Sequence, residues 1–335
     1  MVVGASHGRG EVRAGDTTPD LSIVTINYNS GDVIGDCLRA VFENTRSLRI
    51  EYFVVDNASR PDGTLERIAD AFPDVDIVRN ATNLGFAAGC NVALARATGR
   101  FVLLLNPDTT VRPEALYRMV AFLEGRPDVA VLGSPLVGPD GRDQGVAGRG
   151  FPTPLAALFG RTTLLTRVFG PNRFSSRFSS SRDPTRTAPY ECDWVSGACM
   201  MVRRDAIEQV GMLDPGYFFM WEDADWCFRM KRAGWRVYCS HEAGVVHREG
   251  SSRGRGWRPM WIGTVGFHRG AYRYYRQHIH DRPYSPVHVA VMAGLAVRAV
   301  LVFAGRAVRA LGAGTSGTKR KVHAHHLGRD GHVQL

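Results

Sequence analysis

The chain has 335 residues, 44% of them hydrophobic and 22% charged, which is enough apolar material for one large or two small globular domains. Its formal net charge of +10 is uneven, because residues 142–186 carry eight Arg against two Asp and residues 286–335 carry seven Lys or Arg against one Asp. Such stretches suit a polyanion or an anionic membrane surface. No recognised nucleic-acid-binding module accompanies them, so no nucleic-acid partner is predicted.

The start of the chain and the cysteines indicate the compartment. Residues 1–20 are polar and Gly-rich without an apolar core, which predicts a disordered N-terminal tail and no signal peptide. The six cysteines are scattered without CxxC pairs, a pattern typical of reduced thiols in a cytosolic protein. They are Cys37, Cys90, Cys192, Cys199, Cys227 and Cys239.

From residue 21 onward, strand patterns alternate with helix patterns. Leu21–Asn27 is rich in β-branched residues, and Phe101–Leu105 is apolar on both faces, as a central parallel strand should be. The pattern predicts an α/β fold with a mostly parallel, doubly wound sheet. Such sheets bind ligands at the carboxyl ends of their strands. Polar residues occur at those ends, namely Asn27, Asp56, Asn106 and Asp108.

No Gly-rich phosphate loop follows any predicted strand. Neither GxGxxG nor GxxxxGK[ST] occurs, which argues against dinucleotide dehydrogenases and P-loop enzymes. A bound diphosphate would therefore need a divalent cation, and Asp108 offers the hard oxygen that Mg²⁺ or Mn²⁺ prefers. Alternatively, Asp108 caps a helix starting near Arg112 or closes the Asn-Pro-Asp turn.

Three carboxylates lie within an aromatic run, YFFMWEDADWCFR: Glu222, Asp223 and Asp225. Apolar surroundings and neighbouring like charges raise carboxyl pKa values toward that of a usable base. This indicates an active site. Alternatively, Asp223 caps a helix that ends at Gly234, and Asp225 pairs with Arg229.

Two regions lie outside this alternating pattern. Residues 138–190 are rich in Gly, Pro, Ser and Arg, which is typical of a functional loop or lid. Residues 286–311 are apolar except for His288, Arg298, Arg306 and Arg309, which fall within about 80° of a helical wheel. This predicts an amphipathic helix in a membrane interface rather than a clean span, or else a helix packed on the catalytic domain. A disordered basic tail is predicted over 312–335.

The chain resembles glycosyltransferase family 2, inverting enzymes with the GT-A nucleotide-diphospho-sugar transferase fold, and within it the rhamnosyltransferase-like members. The resemblance covers roughly Leu21 to Tyr275. It rests on seven motifs in the family's order: TINYNSGDVIGDCL, VVDNAS, NLGFAAGCN, LLLNPDTTV, DWVSGACMMVRR, FMWEDADWCFR and VVHREGSS. It implies a catalytic domain over 21–250, completed by a C-terminal helical segment over 251–285.

The resemblance also assigns roles to individual residues. The implied nucleobase pocket contains Thr25, Asn27 and Asp56. The implied wall around ribose and diphosphate contains Asn83, Gly85 and Asn91. Asn106 and Asp108 match the metal motif, although Asn replaces Asp at its first position, so Asp108 is the expected ligand, with His247 completing the shell. Asp223 matches the catalytic base, with Glu222 and Asp225 as alternatives. The acceptor-side segment contains Trp194, Ser196 and Gly197.

The implied reaction is an inverting transfer onto an acceptor hydroxyl, with Asp223 as general base and Mg²⁺ or Mn²⁺ on the leaving diphosphate. The resemblance favours dTDP-L-rhamnose as donor and then UDP-sugars, and the expected acceptor is a polyprenyl-diphosphate-linked saccharide. The expected location is the cytoplasm, peripheral on the inner face of the cell membrane. Two alternatives are an inactive nucleotide-sugar-binding protein and a sugar nucleotidyltransferase, although the latter usually has a Gly-rich basic loop after the first strand.

Overall fold

The computed structural model describes residues 17–45, 47–144, 148–152, 188–241, 244–248, 257–280, 282 and 285–323. Residues 1–16 of the predicted N-terminal tail, residues 324–335 of the predicted C-terminal tail, and residues 145–147 and 153–187 of the predicted lid lie outside this set.

The described strands form two sheets. They are β1 (Leu21–Asn27), β2 (Ile50–Asp56), β3 (Val75–Arg79), β4 (Phe101–Leu105), β5 (Thr109–Val111), β6 (Val129–Gly133), β7 (Leu136–Val137), β8 (Tyr190–Glu191), β9 (Cys199–Arg203), β10 (Arg236–Cys239) and β11 (Val245–His247). The main sheet has the order β3-β2-β1-β4-β9-β6-β10-β8, and the small sheet has the order β5-β11-β7. In the main sheet only β9 and β8 run against the other strands, which confirms the mostly parallel prediction.

The described helices are α1 (Val33–Asn44), α2 (Thr64–Ala71), α3 (Phe86–Leu94), α4 (Ala115–Glu124), α5 (Arg204–Val210), α6 (Glu222–Arg232), α7 (Trp257–His278) and α8 (Pro286–His323). The main sheet has an apolar core on each face. Ile34 and Leu38 of α1 and Leu116 of α4 pack on one face, whereas Ala87 of α3 and Trp226 of α6 pack on the other. Strand β1 is buried along its whole length, because it lies between β2 and β4 with a helical layer on each side.

The six cysteines are all buried and free, as predicted. Burial raises their pKa values, to about 11 for Cys37 and to about 12 for Cys199. These thiols therefore belong to the packed interior.

Helix α8 departs from the sequence prediction in two ways. It continues to His323 rather than ending at Leu311, since no proline follows Pro286 and a nucleated helix gains one hydrogen bond for each added residue. The 20 residues Pro286–Gly305 are also long and apolar enough to cross a bilayer, contrary to the expectation that polar residues interrupt the span. Its two polar residues, His288 and Arg298, face α7 instead of solvent: His288 Nε2 lies 3.4 Å from the Tyr272 hydroxyl, and Arg298 Nη1 lies 3.0 Å from His268 Nε2.

Candidate active site

The carboxyl ends of β1 and β2 carry a fixed polar network. The strands are parallel, with Asn27 directly beside Asp56. Asn27 Nδ2 donates to Asp56 Oδ1 at 2.7 Å, and the Ser59 amide donates to Asp56 Oδ2 at 3.1 Å. Each carboxylate oxygen can still accept a second hydrogen bond, so the network can receive a donor from a nucleobase.

Thr25 does not line this pocket. It is fully buried on the same strand face as Ile23, one layer below Asn27, and its hydroxyl lies 2.8 Å from the Tyr52 hydroxyl. A strand places alternate residues on one face, so Thr25 supports the pocket floor from within the core. The predicted direct contact of Thr25 with a nucleotide is therefore corrected.

The loop before α3 is held to the turn before α6. Asn83 Oδ1 accepts from the Gly85 amide at 2.8 Å, and the Phe86 amide donates to the Phe218 carbonyl oxygen at 2.8 Å. Gly85 has φ 83°, and a Cβ there would lie 2.4 Å from that carbonyl oxygen. Only glycine fits this close approach.

Asn91 has a different role from the one predicted. Its Nδ2 donates to the Leu213 carbonyl oxygen at 2.8 Å, and its Oδ1 accepts from the Leu213 amide at 3.2 Å. Both ends of the amide are therefore engaged with the backbone. Asn91 anchors the segment leading to the carboxylate helix and does not form part of the wall around ribose and diphosphate.

Asp108 and His247 meet where the two sheets adjoin. Asp108 follows β4 and is buried, and His247 ends β11, whose pairing with β5 brings it beside Thr109. Asp108 Oδ1 lies 3.2 Å from His247 Nε2. Asp108 does not hold the N-cap position of the next helix, which begins at Ala115 after Glu114, and the 106–109 turn is closed by the Thr109 amide, which donates to the Asn106 carbonyl oxygen.

Gln144 fixes the orientation of the His247 ring. Its Nε2 donates to the His247 carbonyl oxygen at 2.8 Å, which turns its Oε1 toward His247 Nδ1, also at 2.8 Å. An acceptor at Nδ1 requires a proton there, so in the neutral ring the Nε2 lone pair faces the Asp108 carboxylate. A divalent cation or a proton at Nε2 would each make this contact favourable.

A divalent metal fits this pair. Among the described residues, no group of three or more His, Cys, Asp or Glu side chains converges as a complete metal cage. Mg²⁺ and Mn²⁺ sites for nucleotides take one or two protein ligands and complete the shell with phosphate oxygens and water. Asp108 and His247 could supply the protein's share of such a shell.

The acceptor-side segment lies against Asp223. The Gly197 amide donates to Asp223 Oδ2 at 3.2 Å, and the Ala224 amide donates to Asp223 Oδ1 at 2.8 Å. Ser196 Oγ accepts from the Ala198 amide at 3.3 Å, which holds the turn. Asp223 is partly exposed in the second position of α6, so it does not cap the helix as the alternative interpretation required.

Trp194 and Arg149 form a wall beside this turn. Trp194 Nε1 donates to the Gly150 carbonyl oxygen at 3.0 Å, and the Arg149 guanidinium lies over the indole ring, 5.6 Å from its centroid. The charge of Arg149 also acts on Asp223, where it opposes the rise in pKa. The Arg149 charge therefore acts on the carboxylate from the same wall that carries the Trp194 ring.

The carboxylates of α6 differ in their surroundings. Glu222 is buried, its Oε2 has no hydrogen-bond partner among the described residues, and desolvation together with the Asp223 charge raises its pKa well above the ordinary value. Burial also raises the pKa of Asp223, although the Gly197 and Ala224 amides and Arg149 limit the rise. Asp223 is therefore the more accessible acid–base group.

Asp225 is removed from the candidates for the base. Its Oδ2 accepts from Arg229 Nε at 2.9 Å, as the structural alternative predicted, and its Oδ1 lies 2.7 Å from His278 Nε2. The side chain is almost completely buried. Through its contacts with Arg229 and His278, Asp225 links α6 to α7.

The metal motif and the carboxylate helix meet through β9. This strand runs antiparallel to β4, so its first residue, Cys199, lies beside Leu105 at the carboxyl end. The Asn106 amide donates to the Ala198 carbonyl oxygen at 2.9 Å, and Ala198 directly follows Gly197. The Asn106–Asp108 segment and Asp223 are therefore joined by two successive hydrogen-bonded contacts.

A family model, Glycosyl transferase family 2, matches residues 22–211. The chain is a family 2 glycosyltransferase. It is 26% identical over 249 residues, 71% of this chain and 79% of the relative, to an N-acetylglucosaminyl-diphospho-decaprenol L-rhamnosyltransferase of Mycobacterium tuberculosis.

Two solved structures confirm the GT-A fold of this glycosyltransferase. The mannosyltransferase PcManGT of Pyrobaculum calidifontis, in complex with GDP-Man and Mn²⁺, gives a TM-score of 0.52 at 19% identity and covers 89% of this chain and 76% of its own. GalNAc-T7 with UDP, GalNAc and Mn²⁺ gives a TM-score of 0.54 at 16% identity and covers 84% of this chain and 55% of its own.

Several contacts in the site of the glycosyltransferase lack a signal in the sequence. Gln144 and Arg149 lie in the region predicted as a lid and contact His247 and Trp194 from it. Asn57 donates from Nδ2 to the Gly85 carbonyl oxygen at 2.8 Å. These partners are distant in the chain, so only the fold reveals them.

Proposed function

We propose that this glycosyltransferase moves L-rhamnose from dTDP-L-rhamnose to a hydroxyl of a polyprenyl-diphosphate-linked saccharide, with inversion. The observation that carries the proposal is the position of Asp223, which is held by the Gly197 amide next to the strand end that carries Asp108. This position supports the proposal, because a single displacement needs its general base and its diphosphate-binding residues close together.

The protein's residues act on opposite sides of the anomeric carbon. Asp223 accepts the proton of the acceptor hydroxyl as that oxygen attacks from the face opposite the nucleotide. Asp108 and His247 would hold the cation, which when bound stabilises negative charge on the leaving diphosphate. Asn27 and Asp56 orient the nucleobase of the donor. Trp194 and Arg149 face the acceptor.

The similarity to an L-rhamnosyltransferase that acts on a decaprenol-linked substrate supports the donor and acceptor of this proposal. Because this relative is 26% identical to the chain, the donor of the two proteins can differ. A UDP-sugar of another polysaccharide pathway is the second donor class. The contacts of Asn27 and Asp56 suit thymine and uracil equally, because the two bases offer the same hydrogen-bonding edge and differ by one methyl group.

Nucleotide binding tests the donor class. Calorimetry of the full chain with dTDP, UDP, GDP and NAD, each with and without Mn²⁺, should give Mn²⁺-dependent binding of dTDP or UDP. The reason is that the diphosphate needs the cation at Asp108, and the pyrimidine fits the Asn27–Asp56 network. Transfer of radiolabelled rhamnose to a decaprenyl-diphosphate-linked acceptor then tests the reaction. Binding of NAD alone, or of none, would contradict the proposal.

Helix α8 supports a location at the surface of the cell membrane. Its exposed positions from 286 to 304 carry no polar side chain. They are Pro286, Val287, Val289, Ala290, Met292, Ala293, Gly294, Ala296, Val297, Val300, Leu301 and Ala304. An exposed apolar surface of this size on one helix is typical of lipid contact.

The packing of α8 favours lying on the bilayer over crossing it. The helix runs along α7 from the contact of His288 with Tyr272 to that of Phe303 with Trp261, whose ring centroids are 5.4 Å apart. If α8 crossed the bilayer, α7 would have to enter the hydrocarbon core as well. This would bury the charges of Arg269, Arg273 and Arg276 in hydrocarbon at a high free-energy cost. The proposed arrangement is an interfacial helix with its apolar face in the acyl chains.

Liposome flotation tests this contact. The full chain should float with vesicles that contain anionic lipid, whereas a chain ending at Arg282 should not. In the full chain, Val297→Asp with Val300→Asp should lower partitioning about tenfold or more, since a charge costs about 3 kcal/mol at the bilayer centre and part of that in the interface. Tyr117→Asp, at an exposed position of α4, is the matched control. Equal flotation of all four proteins would exclude α8 as the anchor.

A further inference from the structure

Helix α7 packs against the turn that enters the carboxylate helix. This turn ends in two consecutive non-glycine residues with left-handed backbone, Met220 at φ 68° and Trp221 at φ 80°. Such conformations are strained and persist where neighbouring structure holds them. Because Trp221 directly precedes Glu222 and Asp223, the turn determines where both carboxylates lie.

Gly270 of α7 makes room for this turn. A Cβ at position 270 would lie 2.8 Å from Trp221 Cδ1 and 2.9 Å from the Met220 carbonyl oxygen, and both distances are too short for real contacts. The helix therefore approaches the strained residues as closely as a backbone without a side chain allows.

Aromatic side chains of α7 hold the Trp221 ring on either side of Gly270. The ring centroid of Trp221 lies 5.4 Å from that of Phe267 and 5.5 Å from that of Tyr274. Farther along α7, His278 contacts Asp225 at 2.7 Å. The turn and the helix that follows it are thus held along one face of α7.

We infer that Gly270 is a positioning residue for glycosyl transfer: it lets α7 hold the Met220–Trp221 turn and thereby keeps Asp223 on the Gly197 amide. Residue 270 lies beyond the segment 22–211 that the family model matches. The activity readout below rests on the proposed function, whereas the exchange readout does not.

The test compares two Gly→Ala changes in the same helix. Gly270→Ala brings a methyl group against Trp221. Gly263→Ala is the matched control, because no described atom lies within 4 Å of a Cβ at that position. Both changes raise helix propensity equally. We expect Gly270→Ala to lower kcat about 10- to 100-fold while the Kd for dTDP with Mn²⁺ changes less than about twofold, as displacement of a catalytic group predicts. Gly263→Ala should retain wild-type values.

Hydrogen exchange supplies a readout that needs no substrate. Peptides covering residues 194–200 and 217–228 should exchange faster in Gly270→Ala and at the wild-type rate in Gly263→Ala. Phe267→Leu removes the ring contact with Trp221, and those with His268 and Arg298, without adding bulk. It should shift exchange and kcat in the same direction by a smaller factor, so the inference is tested even if Gly270→Ala does not fold.

The outcomes separate the two proposals. Unchanged exchange and kcat in both Gly270→Ala and Phe267→Leu would overturn the role of Gly270. If the wild-type chain transfers no sugar but exchange rises in Gly270→Ala and Phe267→Leu alone, the proposed function fails, while the control of the Asp223 turn by α7 stands.

Discussion

Asp223→Asn is expected to lower turnover by about 100-fold or more, the contribution of a positioned general base. The amide keeps the size of the side chain and can still accept from Gly197 through its oxygen, so nucleotide affinity should stay at the wild-type value. The measurement is kcat for sugar transfer, together with calorimetric binding of dTDP and Mn²⁺. Near-normal turnover would remove Asp223 from the role of base.

The pH profile distinguishes loss of a base from general damage. A base acts when deprotonated, so activity falls as the pH decreases through its pKa. Burial raises the pKa of Asp223, which places this acid limb above the ordinary aspartate value of about 4. The residual activity of Asp223→Asn should not show this decrease at low pH. Glu222→Gln is the matched control: the raised pKa of Glu222 favours its neutral form, which Gln imitates, so the limb and most activity should remain.

Asp108→Ala is expected to weaken the nucleotide complex about tenfold or more, equivalent to at least about 1.4 kcal/mol, and only when metal is present. The buried carboxylate is the hard anionic ligand of the pair with His247, so its loss leaves the cation with a single neutral protein ligand. Calorimetry of dTDP with Mn²⁺ and with chelator measures the difference.

Gln144→Ala provides a graded comparison. It removes the acceptor that fixes the His247 ring but leaves both proposed ligands, and loss of such an outer contact costs about 10- to 100-fold in metal affinity. Direct Mn²⁺ titration should therefore place Gln144→Ala between the wild type and Asp108→Ala. The same nucleotide affinity with and without chelator in the wild type would refute a metal at Asp108.

The sequence predicts the first half of the fold well, because its signals are local. Leu21–Asn27 and Phe101–Leu105 are strands with the predicted bounds. Strand β9 is different: its apolar residues fit either direction, and only pairing with β4 and β6 makes it antiparallel. That reversal brings the turn before β9 to the carboxyl edge of the sheet, next to Asp223, a consequence that no local pattern encodes.

The position of a polar side chain, in the core or at the site, also depends on residues that are distant in the chain. Thr25 and Asn27 share a strand face and a motif and are both buried, yet Thr25 contacts the Tyr52 hydroxyl within the core and Asn27 donates to Asp56 at the strand end. Asn91 depends likewise on the path of the backbone at Leu213. On α8, the helical wheel reveals a polar stripe, but the partner of His288 and Arg298 is known only once α7 is placed beside it.

The buried thiols have a practical consequence for the intact molecule. Each of the six sulfhydryls is enclosed by packed side chains, and the raised pKa values leave almost no thiolate to react. Alkylating reagents and oxidants can reach them only when the interior opens, so the rate of thiol labelling reports how often this happens. The chain thus carries six intrinsic reporters of its own unfolding, and introduced labels at the surface need no prior removal of cysteine.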